Sequence, residues 1–310
     1  MSDHYPIHAR SRRYNPIRAL CLTLTLSLVV VGIGCRRGQP TTPIALVKKQ
    51  PLKPAGPPPL PPLPEGGVKG IYLTGWTAGH AKQFPILVSL LDRTELNAMV
   101  IDVKDDGQVS YGVEVPLVKE VDAEATDPDS KINRKMMRVD KVLATLKEHK
   151  IFAIARIACF RDTPLAEARP AMAVQDASGK VWHDRSGHAW LNPYNKAVWD
   201  YNLAIALDAI QHGFQEVQFD YVRFPSEGKL SALKYPGKPK NVTRRDQIEA
   251  FVKYAREKIK AQGAWFSADV FGLTSLVKDD MGIGQTRTNV AKHVDYLCPM
   301  VYPSHYAKGE

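Results

Sequence analysis

A (β/α)8 TIM barrel, an α/β fold, is what this sequence predicts from residue 68 onward, and three observations predict it. Short apolar runs alternate with longer segments of helical period. The runs are apolar throughout, the pattern of parallel strands covered on both faces. Polar residues recur at the C-terminal ends of those runs, and no Gly-rich nucleotide loop follows the first one. That separates a barrel from a doubly wound open sheet.

Taken in order, the first candidate strand is GIYLTG (70–75), and a helix over 81–95 follows it. The second strand is NAMVIDVK (97–104), and the amphipathic segment 138–150 is the next helix. IFAIARIA (151–158) is the third strand, and residues 195–213 form a helix closed by Gly213. EVQFDYV (216–222) is the fourth strand, followed by a helix over 244–263. AWFSADVFG (264–272) and VDYLCPMVYP (294–303) are the fifth and sixth. Eight strands close a barrel, and the sequence stops after the sixth. The expectation is a barrel truncated after about six β/α units.

Two segments precede the domain. Residues 1–35 read as an export leader: Arg10, Arg12, Arg13 and Arg18 precede an apolar run at 19–34, and Cys35 follows. That is a secretory signal pattern. A Cys after small residues points to lipidation at Cys35, although Gly32 stands where Leu is usual. An uncleaved N-terminal anchor helix is the alternative. Residues 36–67 are dense in proline and read as an extended, semi-rigid spacer. The three expected parts are therefore the leader 1–35, the linker 36–67 and the barrel 68–310. Export, with a membrane anchor or release outside the cytoplasm, is the expected localisation.

Composition removes several function classes. Of the net charge of +10, residues 1–66 hold nine Lys/Arg against two acids, or +7. Only +3 is left for the barrel, so the basic balance is no argument for a nucleic-acid partner. The four Cys form no CxxC pair, and Cys159 and Cys298 read as buried thiols. DVKDDG (102–107) lacks calcium-loop ligands, since Lys104 and Val113 occupy the third and twelfth positions. No metal and no cofactor are expected.

In a parallel barrel the site lies at the strand C-terminal ends. Those ends bring Asp102 and Lys104, then Arg156, then Asp220, Tyr221 and Arg223, then Asp269, and last Tyr302 and His305. Three carboxylates from three strands suit glycosidic bond cleavage, which needs one carboxylic acid and one carboxylate. Asp220 and Asp269 end adjacent strands and are the expected catalytic pair. Asp102, Lys104, Arg156, Tyr221, Arg223, Tyr302 and His305 are expected substrate contacts. Trp190 and Asn192, in VWHDRSGHAWLNPYN (181–195), join them as a stacking face and a hydroxyl ligand. Trp190 is equally readable as a seal on the barrel rim.

The stretch WLNPYNKAVWDYNLAIALDAIQHGFQEVQFDYVRFP (190–225) resembles the Putative glycosyl hydrolase domain family, bacterial TIM-barrel proteins akin to α-amylase-type enzymes. VKGIYLTG, NAMVIDVKDDGQVSYG, SADVFG, IGQ and CPMVYPSHY fit its other blocks in order, from Val68 to Glu310. The resemblance implies a barrel of glycosidase ancestry. It implies Asp220 as nucleophile and Asp269 as acid/base, with Asp where the amylase pattern has Glu. The expected function is cleavage of O-glycosidic bonds in an envelope or extracellular polysaccharide. The alternative is a glycan-binding lipoprotein on a barrel that has lost its chemistry.

Overall fold

The computed structural model describes residues 56–124 and 135–302. The leader with Cys35, the first part of the linker, and His305 lie outside the described residues. Among the described residues there are seven strands: β1 (Gly70–Leu73), β2 (Ala98–Asp105), β3 (Gln108–Val109), β4 (Phe152–Ala158), β5 (Glu216–Asp220), β6 (Trp265–Phe271) and β7 (Tyr296–Met300). The two-residue β3 folds back antiparallel on the end of β2. The other six are parallel and pair in the order β1-β2-β4-β5-β6-β7. Each parallel strand lies beside the next one in the chain, as in a barrel. A doubly wound sheet would reverse its order at a switch point. Among the described residues β1 and β7 do not pair, so the sheet is an open six-stranded arc of the expected barrel.

The helices are α1 (Gly75–Gly79), α2 (Gln83–Asp92), α3 (Pro116–Glu124), α4 (Val139–Glu148), α5 (Thr163–Ala168), α6 (Lys196–His212), α7 (Arg244–Ala261) and α8 (Arg287–Ala291). Their ends are set by local chemistry. The Asn195 side chain accepts from Ala197 N to start α6, and Gly213 ends it in the left-handed region at φ 115°. Thr243 and Asp246 form a reciprocal capping box at the start of α7.

Side chains on the strands alternate between two faces. The outer row, including Met99, Ile101, Ala155, Ile157, Val217, Phe219, Phe266 and Val270, joins the main core under the helices. The inner row differs from the uniformly apolar expectation. Its lower part is a small apolar cluster of Ala98, Phe152 and Ile154, while its upper part carries Asp102, Arg156, Gln218, Asp220, Ser267 and Asp269. Period-two alternation sets which residues form the inner row, and most of its polar residues gather toward the strand C-terminal ends.

The end of the proline-rich stretch belongs to the folded domain. Trp265 Nε1 donates to the Pro61 carbonyl at 2.9 Å, and Leu63 packs on the inner apolar cluster. Proline has no N–H to offer a sheet, but its carbonyls still accept. The segment therefore docks without extending the ladder.

Candidate active site

Arg156 stands on the inner face of β4, in register with Asp102 of β2 and Gln218 of β5. Its Nη1 donates to Asp102 Oδ1 at 2.5 Å. Its Nη2 and Nε donate to Asp220 Oδ2 at 2.5 and 3.2 Å. Nε also lies 3.9 Å from Asp269 Oδ2, and Nη1 lies 3.7 Å from Asp105 Oδ1. Four carboxyl groups from three strands thus surround one guanidinium, which cannot neutralise them all.

The surplus is resolved by protonation. Burial, reinforced by the nearby charge of Asp220, pushes Asp269 up to about 8. Gln218 Nε2 donates to Asp269 Oδ1 at 2.5 Å and opposes the shift without cancelling it. At neutral pH Asp269 is therefore a buried carboxylic acid beside an ion-paired Asp220. Burial also raises Asp102, whose two oxygens are held by Arg156 and by the Tyr72 hydroxyl at 2.5 Å. The Oδ2 atoms of Asp220 and Asp269 both lie near Arg156 Nε, so 3.2 Å and 3.9 Å together bound their separation at about 7 Å. That bound contains the roughly 5–5.5 Å spacing of retaining glycosidases and only the short edge of the inverting range.

The chain turns sharply after Asp220. Tyr221 has φ 51°, in the left-handed region, at a cost of about 1–2 kcal/mol for a residue with a Cβ. The turn aims Tyr221 N at Asp220 Oδ1, 2.5 Å away. It also sets the Tyr221 ring near two guanidinium groups, Arg161 at 3.9 Å and Arg223 at 5.4 Å from the ring centroid. Arg161 donates to the Tyr221 hydroxyl and, at 3.0 Å, to Asp105 Oδ1. Strain of this kind is held only where surrounding contacts over-determine it, as they do here.

Three expected substrate contacts are placed elsewhere. Lys104 is 0 % exposed and faces the helices, not the mouth. The cause is a β-bulge: Asp102 pairs with Arg156 but Lys104 pairs with Ile157, so one extra residue flips Lys104 outward. There its Nζ meets Asp162 Oδ2 and Asn202 Oδ1, each at 2.8 Å. Asn192 is likewise 0 % exposed, with its amide spent on the Pro236 carbonyl and Tyr194 N. Trp190 is 3 % exposed and bonds Asp184 through Nε1, so it backs the rim and offers no open stacking face. Arg156 and Asp102 sit at the mouth, but their polar atoms are taken up by one another and by their neighbours. Tyr221, Arg223 and Tyr302 line a pocket of about 190 Å³ at the same end of the sheet, with Phe271, Leu273 and Met300.

Several residues of the site have no role assigned to them by the sequence. Tyr72 and Arg161 gain their roles from neighbours distant in sequence. Asp105 reaches the mouth because the bulge turns it to the inner face. Gln285 is 1 % exposed and clamps the site: its Oε1 accepts from Phe271 N at 3.0 Å. Its Nε2 donates to the carbonyls of Val222 and Asp269 at 3.0 and 3.2 Å.

Comparison with known proteins gives a family and a fold. The family model described as Putative glycosyl hydrolase domain matches residues 70–310. No curated protein matches the sequence. The crystal structure of a hypothetical protein from Ruminiclostridium thermocellum ATCC 27405 is similar at 39 % identity and TM-score 0.55, covering 64 % of this chain and 97 % of that one. A cycloisomaltooligosaccharide glucanotransferase from Paenibacillus sp. is similar in fold at 14 % identity and TM-score 0.51, covering 76 % of this chain and 34 % of that one. With six parallel strands in barrel order, carboxylates gathered at their C-terminal ends and a family match over most of its length, this chain belongs to the Putative glycosyl hydrolase domain family.

Proposed function

We propose that this protein is an exported glycoside hydrolase that cleaves O-glycosidic bonds in an envelope or extracellular polysaccharide. The observation that carries the reading is the split between two neighbouring carboxyl groups, Asp269 held protonated near neutral pH and Asp220 ion-paired to Arg156. A carboxylic acid held protonated beside an ion-paired carboxylate offers a division of the acid and nucleophile roles. Asp269 donates its proton to the leaving oxygen as the glycosidic bond breaks, and Asp220 attacks the anomeric carbon. Water then releases the sugar, with Asp269 acting in reverse as base. The bound of about 7 Å between the pair favours retention. Export rests on the basic residues, apolar run and Cys35 of the leader, and the anchor on lipidation at that Cys. Release of reducing ends from a panel of bacterial polysaccharides tests the reading. The rate should fall as pH rises through about 8, where Asp269 loses its proton. A rate that is flat from pH 6 to 9 would remove Asp269 from the acid role.

One observation supports the second reading, a glycan-binding protein without turnover. Asp220 has a side chain 5 % exposed, one oxygen held by two nitrogens of Arg156 and the other by Tyr221 N. A nucleophile needs one oxygen free at the anomeric carbon. Glycan affinity with no reducing-end release, unchanged by Asp269→Asn, would establish that reading.

A further inference from the structure

Arg223 is the cation of the mouth that the carboxylates leave unspent. Among the described residues no carboxylate lies within ion-pair distance of it, whereas Arg156 and Arg161 are both paired. Its Nη1 is used, donating to the Phe224 carbonyl at 3.2 Å and the Ser226 hydroxyl at 3.1 Å. Those two bonds fix the guanidinium while its Nε and Nη2 edge has no partner among the described residues. That edge presents two parallel N–H groups, the fork that grips a carboxylate bidentately. Aromatic faces hold the plane in place: the guanidinium carbon lies 4.9 Å from the Trp190 ring centroid and 5.4 Å from that of Tyr221. Burial disfavours its charged form, so an anion that joined it would relieve a standing electrostatic cost. Arg223 also lines the pocket of about 190 Å³, whose other walls are Tyr221, Phe271 and Tyr302 among others. Tyr221 directly follows Asp220, and Phe271 lies two residues beyond Asp269, so the pocket adjoins the catalytic pair.

We propose that Arg223 is the receptor for a carboxylate carried by the sugar, which makes the substrate a uronate-containing polysaccharide. The inference rests on the glycosidase reading for its location but not for its chemistry. A rigid, pre-aimed fork beside a wall of aromatic rings matches a planar carboxylate on a pyranose ring. A neutral sugar would leave the two donors unpaired in a partly buried site, at the loss that follows from an unmade charge-assisted bond.

Four acidic polymers test this, each beside its own carboxyl-reduced form: polygalacturonate, alginate, glucuronan and hyaluronan. Dextran sulfate is the arm for a sulfate source. Affinity is measured by titration calorimetry with the full chain, its Arg223→Gln variant and its Arg223→Lys variant, and reducing ends are assayed in parallel. At least one uronate polymer should bind about tenfold to a hundredfold more tightly than its reduced form, the range of a charge-assisted hydrogen-bond pair. Arg223→Gln should abolish that preference, so that the acidic and reduced forms bind alike. Arg223→Lys, which keeps the charge and loses the fork, should restore only part of it. A preference that survives in Arg223→Gln overturns the proposal, as does equal binding of acidic and reduced forms. An Arg223-dependent preference for dextran sulfate alone overturns the carboxylate assignment. If Arg223-dependent uronate binding occurs with no reducing ends released, this inference stands and the hydrolase reading falls. If a neutral glycan is cleaved as fast by Arg223→Gln as by the parent chain, the reverse holds.

Discussion

Replacing Asp269 with Asn tests the electrostatics of the mouth without reference to any substrate. Asp269 is raised by burial and by Asp220 from an ordinary 3.8 to about 8. Between those values the folded protein holds a proton that the unfolded chain has lost. Stability therefore falls as pH rises across that window, at about 1.4 kcal/mol per pH unit for one proton. From pH 5 to pH 8 the loss from Asp269 alone is at most about 4 kcal/mol. For a domain of this size each kcal/mol moves Tm by about 2–4 °C, so the drop is of order 8–16 °C. Asn keeps the shape and can still accept from Gln218, but has no proton to lose. Glu216, pushed up to about 7 by burial, adds its own slope to parent and variant alike. The difference between the two melting curves thus isolates Asp269. Thermal denaturation at half-unit steps from pH 5 to 9 should show the curves close at pH 5 and Asp269→Asn markedly more stable at pH 8. Parallel curves across the range would refute the reasoning that Asp269 is a buried, protonated acid.

Other outcomes follow from the same geometry. Lys104→Met should cost about 3–5 kcal/mol, because it leaves Asp162 charged and unpaired in the interior, and calorimetry should show Tm down by roughly 6–20 °C. Gly107→Ala should destabilise by at least about 1–3 kcal/mol in urea melts: φ is +77°, and the new Cβ would lie 2.2 Å from Asp162 Oδ1. Gln285→Ala should cost about 2–4 kcal/mol by orphaning Phe271 N and two carbonyls, and should lower kcat more than it raises KM, because the clamp holds Asp269 in place.

Much of the fold was legible in the sequence because each parallel strand and each long helix carries its own local pattern. GIYL, AMVIDVKD and FAIARIA are strands within a residue or two of expectation. Asn195 and Gly213 bracket α6 as their chemistry dictates. Helices α1, α5 and α8 were not legible: five or six residues make too little period to detect. At the site, Asp102, Asp220 and Asp269 were found because strand ends are readable. Lys104 was misplaced because a single-residue bulge reverses face and leaves no mark in composition. Arg156 was expected to face substrate. Its role as hub depends on register between strands fifty or more residues apart, which a single sequence does not display. Gln285 lies in the IGQ block, but its role as clamp depends on Val222, Asp269 and Phe271, whose placement around it a single sequence does not display.

The central claim is that Asp220 attacks the anomeric carbon while Asp269 supplies the proton. Proton NMR of a uronate glycan during hydrolysis, with the parent chain and with Asp220→Asn, tests it most directly. The parent chain should release first the anomer of the same configuration as the bond cleaved, and Asp220→Asn, shown to be folded by its circular dichroism spectrum at the assay temperature, should release none. Hydrolysis by Asp220→Asn at a rate comparable to the parent's, or release of the opposite anomer, would contradict the account.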